Sequence, residues 1–482
     1  MATTIGDDIF FASLSELKQR LRAKEFSSVE LTKAFLDRLE KVGPRYNALA
    51  LLLRDYAMKK AKEIDKDLKK ERFRGPLQGI PYGAKDLLSF AGVPTTWGAK
   101  PFATQIFDSH ATVIKKLEKA GAILIGKLAM VELAGGGGYR FPSASLFGPG
   151  LNPWDRTRWA GGSSSGSASA VSAALVGFAL GSETWGSILV PAAYCGVTGL
   201  RPTYGFVSCN GAMALSWTMD KIGPICRSAE DCGTILEIIS GADSDDPGSA
   251  GKSFYYAPQF QKPIAEMRIG FAPSDLEEFP DPESRKVFTD AFEVLRSLGV
   301  KMVETKLPDF PYSAVAGTII AAEGSAVFEP IIQNGKVDEL ADQRQIAGLK
   351  AGLEIPAKDY LKASRIRGLI QQELRMLFNG VDALVSPSRF SVATKINEAL
   401  DRPSTAGPSS IRPSDPPRGL RDLSAAGNLA GLPALSLPCG FKDGLPLAIQ
   451  LVSRPFTENL ILSIGKEFQN RTSWHKKRPV LG

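Results

Sequence analysis

The chain has 482 residues, 44% of them hydrophobic and 23% charged, the balance of a globular enzyme rather than a disordered or fibrous chain. Its net charge of +7 and pI near 9.0 come from lysines and arginines spread along the sequence. Nucleic-acid binding needs basic clusters interleaved with aromatics, and membrane insertion needs roughly 18 consecutive apolar residues; neither pattern occurs.

Residues 12 to 70 carry helical periodicity in three segments, SLSELKQRLRAK, SSVELTKAFLDRLEKV and DYAMKKAKEIDKDLKK. The second opens on a serine cap followed by a glutamate. Together they predict a helical layer whose charged faces are solvated. Next, Pro76, Pro81 and their neighbouring glycines bound a short apolar strand, GIPYGAK, that delivers Lys85. Burying an ammonium is costly unless it is neutralised or hydrogen-bonded. Lys85 is therefore either a snorkelling lysine with its head in water or one whose pKa burial has lowered from about 10.4 towards 7. Residues 111 to 127 read as helix, glycine stop and strand. Four glycines follow, Gly135 to Gly138, as a flexible loop or a wall that leaves room for a ligand.

Residues 161 to 192, GGSSSGSASAVSAALVGFALGSETWGSILVPA, form the centre of the sequence. Gly161, Gly162 and Gly166 allow a tight turn that gathers the hydroxyls of Ser163, Ser164, Ser165 and Ser167. Small residues from Ala168 to Ala174 suit a closely packed helix, and Val176 to Leu180 reads as a buried strand. A second turn, Glu183 to Ser187, ends it. A serine on such a turn with free N–H groups before it has the parts of a nucleophile facing an oxyanion hole. An ordinary Gly/Ser loop is the alternative. A phosphate cradle is disfavoured, because no Lys-Ser or Lys-Thr follows the glycines. Only two histidines exist, His110 and His475, neither on a motif-like turn, so a base other than histidine is expected.

Beyond this stretch, DKIGPICRSAEDCGTILEIISG reads as a glycine-proline turn and an amphipathic helix from about Ser228. MRIGFA and KMVETKLP read as strands around a helix from Glu283 to Leu298. Residues 313 to 378 are mostly helical, and DALVSPS is another buried strand. Residues 400 to 420, rich in proline and small polar residues, predict a loop or mobile lid rather than a linker. The five cysteines, Cys195, Cys209, Cys226, Cys232 and Cys439, form no CxxC pair, and no signal peptide is visible at MATTIGDDIF, so reduced thiols in a cytoplasmic protein are expected.

The GGSSSGS turn, the GSETWGSILVPA turn and the GIPYGAKD segment with its downstream TTWGA resemble the signature of the amidase signature family of serine hydrolases. The resemblance runs from about residue 10 to 470. It implies one large α/β/α domain with a central mixed β-sheet covered by helices, residues 1–70 forming an N-terminal helical layer of the same domain as 71–482. It implies catalytic residues Lys85, Ser163 and Ser187, with a cis peptide before Ser163. It further implies an oxyanion hole from the N–H groups of Thr184, Trp185, Gly186 and Ser187, and substrate contacts at Gly136, Gly137, Gly138 and Trp185. The activity implied is cleavage of small-molecule amides, and by the same route esters or carbamates, without metal or cofactor and without nucleic-acid or membrane partners; a homodimer is compatible with it. Two positions depart from the pattern: Trp185 stands where the family has glycine or alanine, and Leu189 where it has arginine. The other readings are the A subunit of a glutamyl-tRNA amidotransferase and a non-catalytic scaffold. Trp185 and the lack of that subunit's serine-rich loop at 135–138 stand against the first; retention of Lys85, Ser163 and Ser187 together stands against the second.

Overall fold

The computed structural model describes residues 5–277, 281–400 and 419–481. Eleven strands form one mixed sheet: β1 Leu49–Leu52, β2 Pro81–Lys85, β3 Ile123–Leu128, β4 Phe178–Glu183, β5 Thr198–Arg201, β6 Lys221–Cys226, β7 Arg268–Phe271, β8 Lys301–Glu304, β9 Ala383–Pro387, β10 Ala434–Lys442 and β11 Leu445–Ser453. Their spatial order is β1-β3-β2-β4-β6-β5-β10-β11-β9-β7-β8. β3, β2 and β4 run parallel, as do β9, β7 and β8, while the pairings through β6, β5, β10 and β11 are antiparallel.

The central strands are buried on both faces and read as apolar runs rather than alternating ones. Helices provide the cover. Helix Glu458–Arg471 packs on β10, β11 and helix Ala229–Ile239, and helix Pro282–Ser297 packs on β10. Helix Tyr312–Val327 packs on helices Gln343–Gly352 and Ala357–Leu377, and with the latter it shares a second apolar cluster that includes Ile319, Ile370 and Leu423. At the N-terminal side the serine caps form as the sequence requires. Ser27 Oγ accepts the Glu30 N–H at 3.1 Å while Glu30 Oε2 accepts the Ser27 N–H at 2.7 Å, and Ser13 and Glu16 repeat the arrangement.

Three local expectations change. The N-terminal segment contributes β1, an edge strand antiparallel to β3, and is not helical throughout. The glycine-proline turn expected at 222–226 is strand β6. Pro224 lies in the ladder to β4, opposite Leu180, while on the other side the ladder to β5 covers only Ile225 and Cys226 and asks no N–H of the proline. The strand expected at 176–180 begins at Phe178 and continues to Glu183, which carries it into the second serine turn. The lid expectation falls on 401–418, outside the described residues. No helix among the described residues is long and apolar enough to cross a membrane.

Candidate active site

Lys85 is the last residue of β2, between parallel neighbours β3 and β4, and is fully buried. Its Nζ lies 2.7 Å from Ser163 Oγ and 2.9 Å from Ser182 Oγ. Burial lowers its pKa to about 7, against the opposing pull of the Asp220 and Glu183 carboxylates. The next residue, Asp86, pairs with Lys127 at 2.7 Å and accepts the Thr96 N–H at 3.0 Å. This second buried lysine has the full carboxylate partner that Lys85 lacks. The chain leaving β2 is thereby pinned, and Lys85 alone is left to hydroxyl partners.

The first serine turn enters helix Ser165–Ser172 through a cis Gly162–Ser163 peptide. Gly161 takes φ +84°, and a Cβ there would come within 2.7 Å of Pro191 Cα, so only glycine serves. The Ser164 N–H donates to the Ser187 carbonyl at 3.3 Å, and Ser164 Oγ donates to the Ser182 carbonyl at 3.2 Å. These bonds tie the two serine turns together. Among the described residues, Ser163 Oγ bonds Lys85 and makes no hydrogen bond to Ser187 Oγ.

The second turn is held by Glu183. Its Oε1 accepts Arg201 Nη1 and Asn428 Nδ2, each at 2.9 Å, and its Oε2 accepts the N–H groups of Ile188 at 2.9 Å and Leu189 at 3.0 Å. Burial alone would push this carboxyl up, but Arg201 and these donors hold it below the usual glutamate range. By reaching forward past the turn, Glu183 occupies the N–H groups of 188 and 189. Those of Thr184, Trp185, Gly186 and Ser187 make no hydrogen bond among the described residues. Gly186 takes the left-handed position at φ +84°, whereas Trp185 does not have positive φ, so its side chain imposes no strain on the turn. Leu189 is buried in the second apolar cluster, and the turn is anchored through its backbone rather than its side chain.

A cavity of about 330 Å³ opens at Ser187. Gly135, Gly137 and Gly138 line it, together with Tyr139, Trp185, Leu215 and Ile320. Trp185 is 38% exposed and projects into this cavity instead of the core. Gly136, expected as a substrate contact, does not line it. The left-handed turns at Gly135, Gly137 and Gly138 leave Gly136 behind them, against Leu215 and Phe328. No charged side chain lines the cavity among the described residues.

Neither histidine belongs to the site. His110 stacks on Phe90 with ring centroids 4.3 Å apart and accepts the Ala91 N–H at 2.9 Å; His475 lies in the C-terminal tail. Sequence reasoning passed over Ser182, Glu183, Arg201, Asp220, Asn428 and Tyr139. A glutamate placed directly before the second serine turn was the available signal for Glu183, and RPTYG was the one for Arg201.

Comparisons with known proteins agree over nearly the whole chain. The amidase family model matches residues 30–462. The A subunit of glutamyl-tRNA(Gln) amidotransferase from Carboxydothermus hydrogenoformans is 35% identical over 500 residues, covering 98% of this chain and 100% of that protein. The same subunit from Dechloromonas aromatica is 36% identical, covering 97% and 99%. Among solved structures, the native peptide amidase of Stenotrophomonas maltophilia superposes with a TM-score of 0.83 at 28% identity, covering 98% of each chain. The A subunit of glutamyl-tRNA(Gln) amidotransferase from Thermotoga maritima gives 0.79 at 28% identity and 99% of each chain.

Proposed function

Since the chain belongs to the amidase family, we propose that it cleaves the C–N bond of small uncharged amides through an acyl-enzyme on Ser187. The observation that carries this is a buried Lys85, with a pKa of about 7, 2.7 Å from Ser163 Oγ. Neutral Lys85 accepts the Ser163 hydroxyl proton, Ser163 accepts that of Ser187, and Ser187 Oγ attacks the acyl carbon. The oxyanion meets the N–H groups of Thr184, Trp185, Gly186 and Ser187, which Glu183 keeps in place and without internal acceptors. The proton then returns through Ser163 to the departing nitrogen, and water, deprotonated by the same relay, releases the acid. The same steps serve an ester or a carbamate. The cavity of glycines, Tyr139, Trp185, Leu215 and Ile320 favours a flat or apolar group, because a charge placed there would be desolvated without a partner.

A second reading is the A subunit of a glutamyl-tRNA amidotransferase, releasing ammonia from glutamine within a complex. It is favoured by the 35–36% identity to such subunits along the entire chain. The uncharged cavity lining weighs the other way, because glutamine brings both an ammonium and a carboxylate. Hydrolysis of an aryl amide, an aryl ester, an aryl carbamate and L-glutamine by wild type and Ser187→Ala separates the readings. Aryl-amide turnover lost in the variant supports the free-standing amidase. Glutamine turnover alone supports the subunit, and turnover surviving in Ser187→Ala refutes the nucleophile.

A further inference from the structure

A second cavity, of about 510 Å³, abuts the first, and Ala134, Thr184 and Leu215 line both. Its own walls include Val207, Met213 and Ala214, with Trp217, half-exposed, at the mouth. One partly buried carboxylate holds the partition between the two. Asp220 Oδ1 accepts Thr184 Oγ1 at 2.5 Å, and Oδ2 accepts the Leu215 N–H at 2.7 Å. Ser182, whose Oγ is 2.9 Å from Lys85 Nζ, lines the second cavity, whereas Ser187 lines the first. The two spaces therefore approach the catalytic groups from opposite ends, one at the nucleophile and the other at the base.

A departing amine takes its proton from Ser163, which is backed by Lys85, so it leaves on the Ser163–Lys85 side of the nucleophile. We propose that the second cavity is the leaving-group site and receives the uncharged N-aryl or N-alkyl substituent of a secondary amide. The proposal rests on the reading of Ser187, Ser163 and Lys85 as the catalytic relay. Of the charged groups in the wall, Asp246 accepts the Cys209 N–H on Oδ2 and the Gly248 N–H on Oδ1, each at 2.8 Å, and Asp245 is exposed to solvent. Asp220 accepts the bonds above and a third from the Ser216 N–H at 2.9 Å, and Lys221 Nζ donates to the Met219 carbonyl. Its volume accommodates an aromatic ring with a short chain. The catalytic cavity is left to the acyl group.

Two isomeric amides test the division: 4-butylacetanilide, extended on nitrogen, and 6-phenylhexanamide, extended on the acyl side. Ala214→Trp fills the second cavity, and Trp217→Ala removes the ring at its mouth. The ratio of kcat/KM for the anilide over the hexanamide is expected to fall at least tenfold in Ala214→Trp and at least threefold in Trp217→Ala. Should the first variant fail to fold, the second, at a half-exposed position, decides. An unchanged ratio in the folded variants, or equal losses for both isomers, overturns the proposal. Calorimetric binding of the anilide to Ser187→Ala, with and without Ala214→Trp, separates this site from the chemistry. Binding that Ala214→Trp weakens tenfold upholds the site even if wild type turns nothing over, a result that counts against the catalytic reading. Absent or unaltered binding overturns the site.

Discussion

Lys85 is the group on which the proposed chemistry depends, and its environment sets a number. Burial moves its pKa from an ordinary 10.5 to about 7, which at 1.36 kcal/mol per pH unit is about 5 kcal/mol of bias towards the neutral amine. At pH 7 roughly half of the enzyme then carries a neutral base, against about one molecule in 3,000 for an unperturbed lysine. The expected pH profile of kcat/KM for a non-ionising aryl amide is therefore a rise of about tenfold per pH unit below pH 6 and a plateau above pH 8. Lys85→Met keeps the apolar stem and removes the base. It should lower kcat/KM by about 10²- to 10⁴-fold and abolish the inflection near pH 7. The profile is measured in buffers of constant ionic strength, with circular dichroism confirming that both proteins are folded. A wild-type profile flat from pH 5.5 to 8, or a Lys85→Met enzyme within tenfold of wild type, would refute the reasoning.

Three further substitutions probe the supports. Trp185→Gly should shift selectivity from aryl towards aliphatic substrates, because the indole in the cavity at Ser187 is lost; an unchanged selectivity profile denies Trp185 that role. Glu183→Gln leaves Arg201 buried without its charge partner and should cost about 3–5 kcal/mol in urea unfolding, with a loss of activity as the turn loosens; an unaltered unfolding curve contradicts the clamp. Glu132 is buried, accepts the N–H groups of Ala341 and Asp342, and has a pKa raised by burial to about 7. A folded pKa above the ordinary 4.5 means that the unfolded chain loses its proton first as pH rises. Wild type should therefore lose up to about 3 kcal/mol of stability between pH 4.5 and 7 relative to Glu132→Gln, and parallel stability curves for the two proteins would exclude it.

The candidate site was more legible in the sequence than its supports. Lys85 was legible because a lysine in an apolar strand must be either solvated or perturbed, and the serine turns because glycine and serine cluster only where the backbone needs both. Glu183 and Asp220 were not legible. Each acts through bonds to residues 18 to 245 positions away or to nearby backbone N–H groups, and sequence spacing does not encode such closures. Gly136 shows the limit at single-residue scale. Four consecutive glycines look equivalent in sequence, yet positive φ at Gly135, Gly137 and Gly138 but not at Gly136 directs three of them to the cavity and one away. Pro224 misled for a related reason. Proline argues against a strand interior unless the neighbouring ladder ends before it, and that register is set by tertiary pairing.

The nucleophile itself is tested most directly by labelling the protein with a fluorophosphonate and mapping the modified peptide by mass spectrometry. The account expects a single adduct on Ser187, absent from Ser187→Ala and formed much more slowly in Lys85→Met. An adduct on another serine, or labelling at wild-type rate in Lys85→Met, would contradict it.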